Sequence, residues 1–173
     1  MNCPQCKGYR LAPRELEPGL IAAGCSKCEG VLISLLNYRY WADYKRFSGP
    51  DGDEEIIAED NEKAQLCPKC HRIMAKYRIG IEASNKIDLC ANCDEAWLDS
   101  GEWSLLKRLD LQDKLPKIFT DAWQANIRKL RQTQQQKARY QNILGDDFER
   151  VEEFKSWLEA HVEADKIKQY LLY

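Results

Sequence analysis

Cys67-Pro68-Lys69-Cys70 and, after a gap of 19 residues, Cys90-Ala91-Asn92-Cys93-Asp94-Glu95-Ala96-Trp97-Leu98-Asp99 are the stretches that decide the fold. Two Cys-x-x-Cys pairs at that distance fall inside the spacing of about 15 to 20 residues that structural zinc sites use. The pattern occurs once more, as Cys3-Pro4-Gln5-Cys6 and Cys25-Ser26-Lys27-Cys28 with 18 residues between the pairs. The two sets use all eight cysteines of the 173-residue chain, so none is left over. Four thiolates close a tetrahedron around Zn2+ and leave no position open for water or substrate. We therefore expect two Zn2+, one held by Cys3, Cys6, Cys25 and Cys28 and one by Cys67, Cys70, Cys90 and Cys93. Iron in a rubredoxin-like site is the nearer competing reading. Reactive thiols or disulfides are the weaker one, because no βαβ pattern surrounds any pair.

Placing the cysteines in register exposes an internal repeat, in which Cys25 to Ser34 aligns with Cys90 to Asp99. In the second copy Ile73, Ala75, Tyr77 and Ile79 alternate with Met74, Lys76 and Arg78, and Ile87 and Leu89 alternate with Lys86 and Asp88. That is a β-hairpin turning near Ser84-Asn85. In the first copy Pro13 and Pro18-Gly19 interrupt the hairpin. Asp99 with Glu102 has the form of a capping box opening a helix through Trp103, Leu105, Leu106 and Leu109. Ser34 takes the matching position before Leu35, Leu36, Tyr40, Tyr44 and Phe47, which recur at helical spacing. A segment of about 45 residues buries too little surface to fold alone, so each metal is expected to organise a separate small core.

These residues closely resemble the transcription factor IIB-type zinc-ribbon family, whose bacterial members carry Cys-Pro-x-Cys followed by Cys-x-x-Cys-x-x-x-Trp-Leu-Asp-x-Gly-Glu. Here the match runs through Cys67, Pro68, Cys70, Cys90, Cys93, Trp97, Leu98, Asp99, Gly101 and Glu102. It covers residues 66 to 107 well and residues 1 to 40 as a degenerate copy. The family glycine two places after the last cysteine is Glu95 in the second copy but remains Gly30 in the first, which has Leu32-Ile33-Ser34 in place of Trp-Leu-Asp. The resemblance implies a tandem zinc ribbon with a helical extension, and it colours the functional reading toward transcription.

The fold expected is small α+β: two four-cysteine zinc ribbons, each a β-hairpin plus a short helix, followed by an α-helical C-terminal region. The divisions are 1–47 for the degenerate ribbon with its aromatic helix, 48–65 for an acidic linker with a short helix around 54–64, 66–111 for the second ribbon, and 112–173 for the extension. A helix is expected from Thr120 or Asp121 to Gly145, where glycine stops it. Asp146 with Glu149 then opens a helix to about Val162, and Ile167, Tyr170 and Leu171 mark a last one.

Charge narrows the function. The 26 basic and 28 acidic residues leave a net charge of -2, which is not the footprint of a generic DNA-coating protein. A local patch is the route to nucleic acid: Arg128, Lys129, Arg131, Lys137 and Arg139 stand in 122–145 without an acidic residue, and Lys76, Arg78 and Lys86 lie on the hairpin. Residues 146–165 carry eight acidic against two basic side chains, so neutralisation within the chain is the competing reading. No apolar run approaches the roughly 20 residues of a membrane helix, and Met1 to Cys6 show no secretory pattern, so a cytoplasmic protein is expected. No phosphate loop, His-Glu-x-x-His run or nucleophile elbow supports an enzyme. His71 is read as a solvent residue or a neighbour supporting the ligand cysteines, His161 as a solvated residue at a helix end, and Trp97 and Trp103 as packing a ribbon on its helix, with stacking on a base as the competing reading.

The leading expectation is a noncatalytic zinc-binding adaptor that presents surfaces to a protein or nucleoprotein partner, with self-association as a further option. Tyr40, Trp41, Tyr44 and Phe47 are its candidate docking face. Direct nucleic-acid binding through helix 122–145 and the ribbon surface is the alternative, with weak affinity.

Overall fold

A computed structural model describes residues 1–44, 58 and 61–173. Phe47 and most of the expected acidic linker, including the start of its short helix, lie outside the described residues; 61–64 are non-helical. The described chain divides into two compact units, Met1–Arg128 and Lys129–Tyr173.

The first unit is small α+β, built on one antiparallel sheet of six strands. Strands β1 (Ala12–Glu17) and β2 (Leu20–Gly24) are followed by β3 (Val31–Ser34) and helix α1 (Leu35–Tyr44). Strands β4 (Ala75–Arg78), β5 (Lys86–Cys90) and β6 (Glu95–Leu98) are followed by α2 (Glu102–Arg108) and α3 (Leu115–Ile118). The order across the sheet is β1-β2-β3-β6-β5-β4. Each cysteine segment thus supplies half the sheet, and the halves meet where β3 pairs with β6.

That seam changes the expected division into separate cores. Val31, Leu32, Ile33 and Ser34 pair with Leu98, Trp97, Ala96 and Glu95 in turn, whereas β3 pairs with its own neighbour β2 at only two positions. Because side chains alternate across a strand, the seam aligns two faces. On one face Leu20, Ala22, Val31, Ile33, Ile87, Ala96 and Leu98 join α1, α2 and α3 in a single core. On the other face Leu32, Trp97 and Met74 gather with the cysteines of both segments. The first backbone N–H of α1 donates to the Asp94 carbonyl at 3.0 Å, so the first helix is capped from the other half.

Pro18-Gly19 does not interrupt the first hairpin; it makes the turn. Glu17 pairs with Leu20 across it, and Gly19 has φ 85°, the positive value a type II turn requires after proline. The Glu15 carboxylate accepts the Gly19 N–H at 2.9 Å. Pro13 is tolerated because β1 is an edge strand. At the opposite edge the Gln124 side chain clamps β4, its Nε2 donating to the Arg78 carbonyl at 3.0 Å and its Oε1 accepting the Arg78 N–H at 3.3 Å.

The aromatic helix α1 packs through a different face from the one its spacing predicts. Leu35 and Tyr38 are buried and Trp41 is half-buried, while Leu36, Tyr40 and Tyr44 are exposed. Tyr38, Trp41 and Trp103 form an aromatic cluster with centroids 5.9 to 6.4 Å apart. The indole N–H groups of Trp41 and Trp103 donate to the Pro18 carbonyl and to Glu17 Oε1, at 3.2 and 2.9 Å. Trp103 therefore packs on the helical side as expected, but Trp97 lies on the cysteine side.

Helix α4 (Asp121–Leu144) begins in the first unit, where Trp123 Nε1 donates to the Ile79 carbonyl at 3.2 Å. The second unit holds its remainder, a 3-10 turn at Gly145–Asp147, α5 (Phe148–Ala160) and α6 (Ala164–Leu171). The expected helix stop falls at Gly145, with φ 54°. No helix among the described residues is long and apolar enough to cross a membrane.

Candidate metal centres

Each centre draws two cysteines from a turn ahead of its hairpin and two from the turn joining the second and third strands of its half. Cys3, Cys6, Cys25 and Cys28 form one group, and Cys67, Cys70, Cys90 and Cys93 the other. Within each group the Sγ atoms all lie within 4.8 Å of one another. Cys3 to Cys28 is 3.7 Å and Cys70 to Cys90 is 3.5 Å. Thiolates about 2.3 Å from a tetrahedral zinc stand roughly 3.8 Å apart, so the clusters have the dimensions of that ion. In both, the first cysteine of each pair is buried and the second half-buried.

The local backbone explains why short Cys-x-x-Cys turns converge two thiols. Cys28, Cys70 and Cys93 are each followed by a residue at positive φ: Glu29 at 58°, His71 at 59° and Asp94 at 54°. In the turn after Cys6 the positive φ falls a position later, on Gly8 at 82°. This reversal folds the chain back so that Cys25 N–H donates to the Gly30 carbonyl at 2.9 Å and Cys67 N–H to that of Arg72 at 2.8 Å. Backbone N–H groups also point at sulfur, from Cys6 to Cys3 Sγ at 3.3 Å and from Lys27 to Cys25 Sγ at 3.4 Å. Such bonds favour the ionised thiol.

The free thiols are uneven. Burial pushes Cys25 up, but hydrogen bonds from the backbone of Cys28 and Lys27 outweigh it and bring the thiol to about 7. The Arg72 backbone N–H draws Cys70 to about 7 as well. Burial pushes Cys3, Cys28, Cys67 and Cys90 up, and the hydrogen bond with Cys70 raises Cys93. Each cluster thus holds one thiol that ionises near neutrality and can take the first metal bond.

Three carboxylates that sequence reading did not assign to the site tie it together. Asp99 does not cap α2 with its side chain; Gly101 holds the cap position. The Asp99 carboxylate instead accepts the Trp97 indole N–H at 2.8 Å, the Asn61 backbone N–H at 2.8 Å and the Gln5 side-chain amide. Gln5 lies between Cys3 and Cys6, so Asp99 joins the first cluster to the end of β6. Buried Glu102 supplies the reciprocal half of the capping box, accepting the Asp99 N–H at 2.8 Å. Glu95, buried two places after Cys93, is paired with Lys69 of the second cluster's first turn.

The candidate nucleic-acid residues fall into different settings. Lys76 is turned inward to Asp88 at 2.8 Å, with both side chains largely buried. Arg78 and Lys86 stand opposite each other near the hairpin tip. Arg128 is on the first-unit portion of α4, and Lys129, Arg131, Lys137 and Arg139 on the second-unit portion. Lys137 pairs with Glu152 at 3.1 Å and lies over the Phe148 ring. His71 and His161 are exposed.

A small α+β protein whose six-stranded sheet carries two all-cysteine clusters able to hold metal ions is thus defined. Comparison with protein-family models, curated proteins and solved structures finds no match.

Proposed function

We propose that the chain is a noncatalytic two-zinc adaptor of the transcription factor IIB-type zinc-ribbon class, presenting surfaces to a protein or nucleoprotein partner. The observation that carries this reading is the pair of closed four-thiol clusters on one face of a shared sheet. Four thiolates satisfy zinc completely, so the metal would hold the fold and expose no ligand position to a substrate. A structural zinc bound in each cluster would contribute about 10 to 16 kcal/mol to folding. Exposed Tyr40 and Tyr44 on α1 are the surface side chains best suited to an aromatic contact with a partner. A transcription-linked role follows from the motif resemblance alone.

Direct nucleic-acid binding is the second reading, supported by the run of basic residues along α4 without an acid after Asp121. Elemental analysis of the purified chain tests the metal, with two zinc per chain expected and an iron-loaded chromophore contradicting it. Titration with duplex and single-stranded oligonucleotides at about 150 mM salt separates the two readings. Weak, nonspecific binding is expected of the adaptor, and steeply salt-dependent, sequence-selective submicromolar binding replaces it with the alternative.

A further inference from the structure

Lys129–Tyr173 is too short to bury a core of its own, and among its apolar side chains only Phe148 and Leu158 are buried. The outer face of α5 carries an aromatic ladder: Phe154 and Trp157 lie 5.6 Å apart, His161 follows at 5.0 Å, and the first two are 45% and 51% exposed. Helical spacing places Glu153, and Glu149 a turn earlier, along one edge of that ladder, while Arg150, at its N-terminal end, is paired with Asp147. On α4, exposed Tyr140 and Ile143 share one face with Lys129 and Arg139. Lys129, Arg139, Glu149 and Glu153 have no ion-pair partner among the described residues.

One hairpin therefore bears an apolar face edged with positive charge and another edged with negative charge. We propose that this surface pairs with a second copy of the same chain, α5 of each protomer lying on α4 of the other about a two-fold axis. Charge complementarity selects the occupant. A two-fold interface must be complementary to itself, and a hairpin with one basic and one acidic helix meets that condition when rotated onto its copy. The lengths agree too, since residues 129–144 rise about 24 Å and the 13 residues of α5 about 20 Å. The Lys137–Glu152 pair already joins basic α4 to acidic α5 within one chain, and the interface repeats that chemistry between chains. The contact uses no cluster cysteine and no residue of α1, so it stands apart from the adaptor reading.

The test is the mass of the full zinc-loaded chain in solution by light scattering. A dimer of 20.1 kDa protomers is expected at about 100 µM, weakening on dilution and with added salt. Trp157→Glu is expected to give a monomer with unchanged metal content. The decisive arm exchanges charges. A chain carrying Arg139→Glu, and another carrying Glu149→Lys and Glu153→Lys, should each be monomeric alone, and their mixture should form the heterodimer. Helical circular dichroism confirms that each variant is folded. A monomeric wild-type chain at that concentration, or charge-exchanged chains that fail to associate when mixed, overturns the proposal. Nucleic-acid or heterologous partner binding by a monomeric chain counts against it equally.

Discussion

Gly30, just past the first cluster, lies against the indole of Trp97 from the other half of the sheet: a Cβ on the glycine would stand 3.0 Å from Cε2, 3.1 Å from Cη2 and closer still to Cζ2. Such contacts are repulsive, so the two positions have a matched choice of residue. At the seam Leu32 pairs with Trp97, and Ser34 pairs with Glu95. The half that keeps glycine receives the large ring, and the half that carries tryptophan has Glu95 at the matching place.

Gly30→Ala is accordingly expected to destabilise the zinc-loaded chain by about 1 to 3 kcal/mol through overpacking. Trp97→Leu, which copies the residue at position 32, frees the space and should make the added methyl nearly harmless. Chemical denaturation of both single variants and the double variant measures the coupling. Strict additivity would show that the glycine is needed for another reason.

The shared sheet changes what loss of one metal should do. Cys67→Ser removes one ligand from a closed cluster, and metal affinity at that centre should collapse. Because β6 pairs with four residues of β3, disorder in the second half strips the first half of its main partner strand and of the core under Leu98 and Ala96. Amide exchange is expected to accelerate in β2 and β3 as well as in β4 to β6, while helical protection in 148–160 persists. Acceleration confined to residues 66–111 would restore the picture of independent ribbons.

Several features of this arrangement are legible in the sequence, and the reasons for the others are physical. Cysteine spacing identifies both clusters because four ligands must reach one small ion, and the second hairpin follows from strict alternation. The β3–β6 seam is not legible: pairing between strands far apart in the chain leaves no local periodic trace. Helix α1 is misphased because Leu35, Leu36, Tyr38, Tyr40, Trp41 and Tyr44 put apolar and aromatic side chains around most of its circumference, so the pattern does not select the buried side. Asp99 satisfies the capping pattern at positions 99 and 102, but the Trp97 indole two residues earlier on the same strand face claims its carboxylate. Trp-x-Asp at a two-residue spacing was the signal for that contact.

Proton release should report the uneven thiols. At about pH 8 Cys70, with its thiol drawn to about 7, is already ionised, whereas Cys67, Cys90 and Cys93 are raised and protonated. Zinc binding at the second cluster should then release about three protons, rising toward four at about pH 6, where Cys70 is protonated too. Affinity therefore falls as pH falls, with log K against pH steepening from a slope near three to one near four across about pH 7. Calorimetry in buffers of different ionisation enthalpy, using a chain with the first cluster already filled, gives the count. A pH-independent release of four protons would falsify the assignment of Cys70 as the first thiolate.

The last prediction separates packing from docking along α1. Trp41 contacts Tyr38 and Trp103 and anchors the Pro18 carbonyl, so Trp41→Ala deletes an aromatic from the core margin together with its tie to the β1–β2 turn. A loss of about 3 kcal/mol is expected, toward the lower end of large aromatic truncations because the ring is only half-buried. Tyr44 is 87% exposed and Tyr40 61%, so Tyr40→Ser with Tyr44→Ser should leave stability within about 0.5 kcal/mol of the parent. Thermal denaturation of the zinc-loaded proteins distinguishes the two outcomes. If α1 is the adaptor's contact helix, the tyrosine pair should abolish partner capture in a chain that is fully folded and carries both metals. Unchanged capture by that variant moves the docking surface off α1, and a stability loss comparable to that of Trp41→Ala shows that the exposed tyrosines support the fold instead.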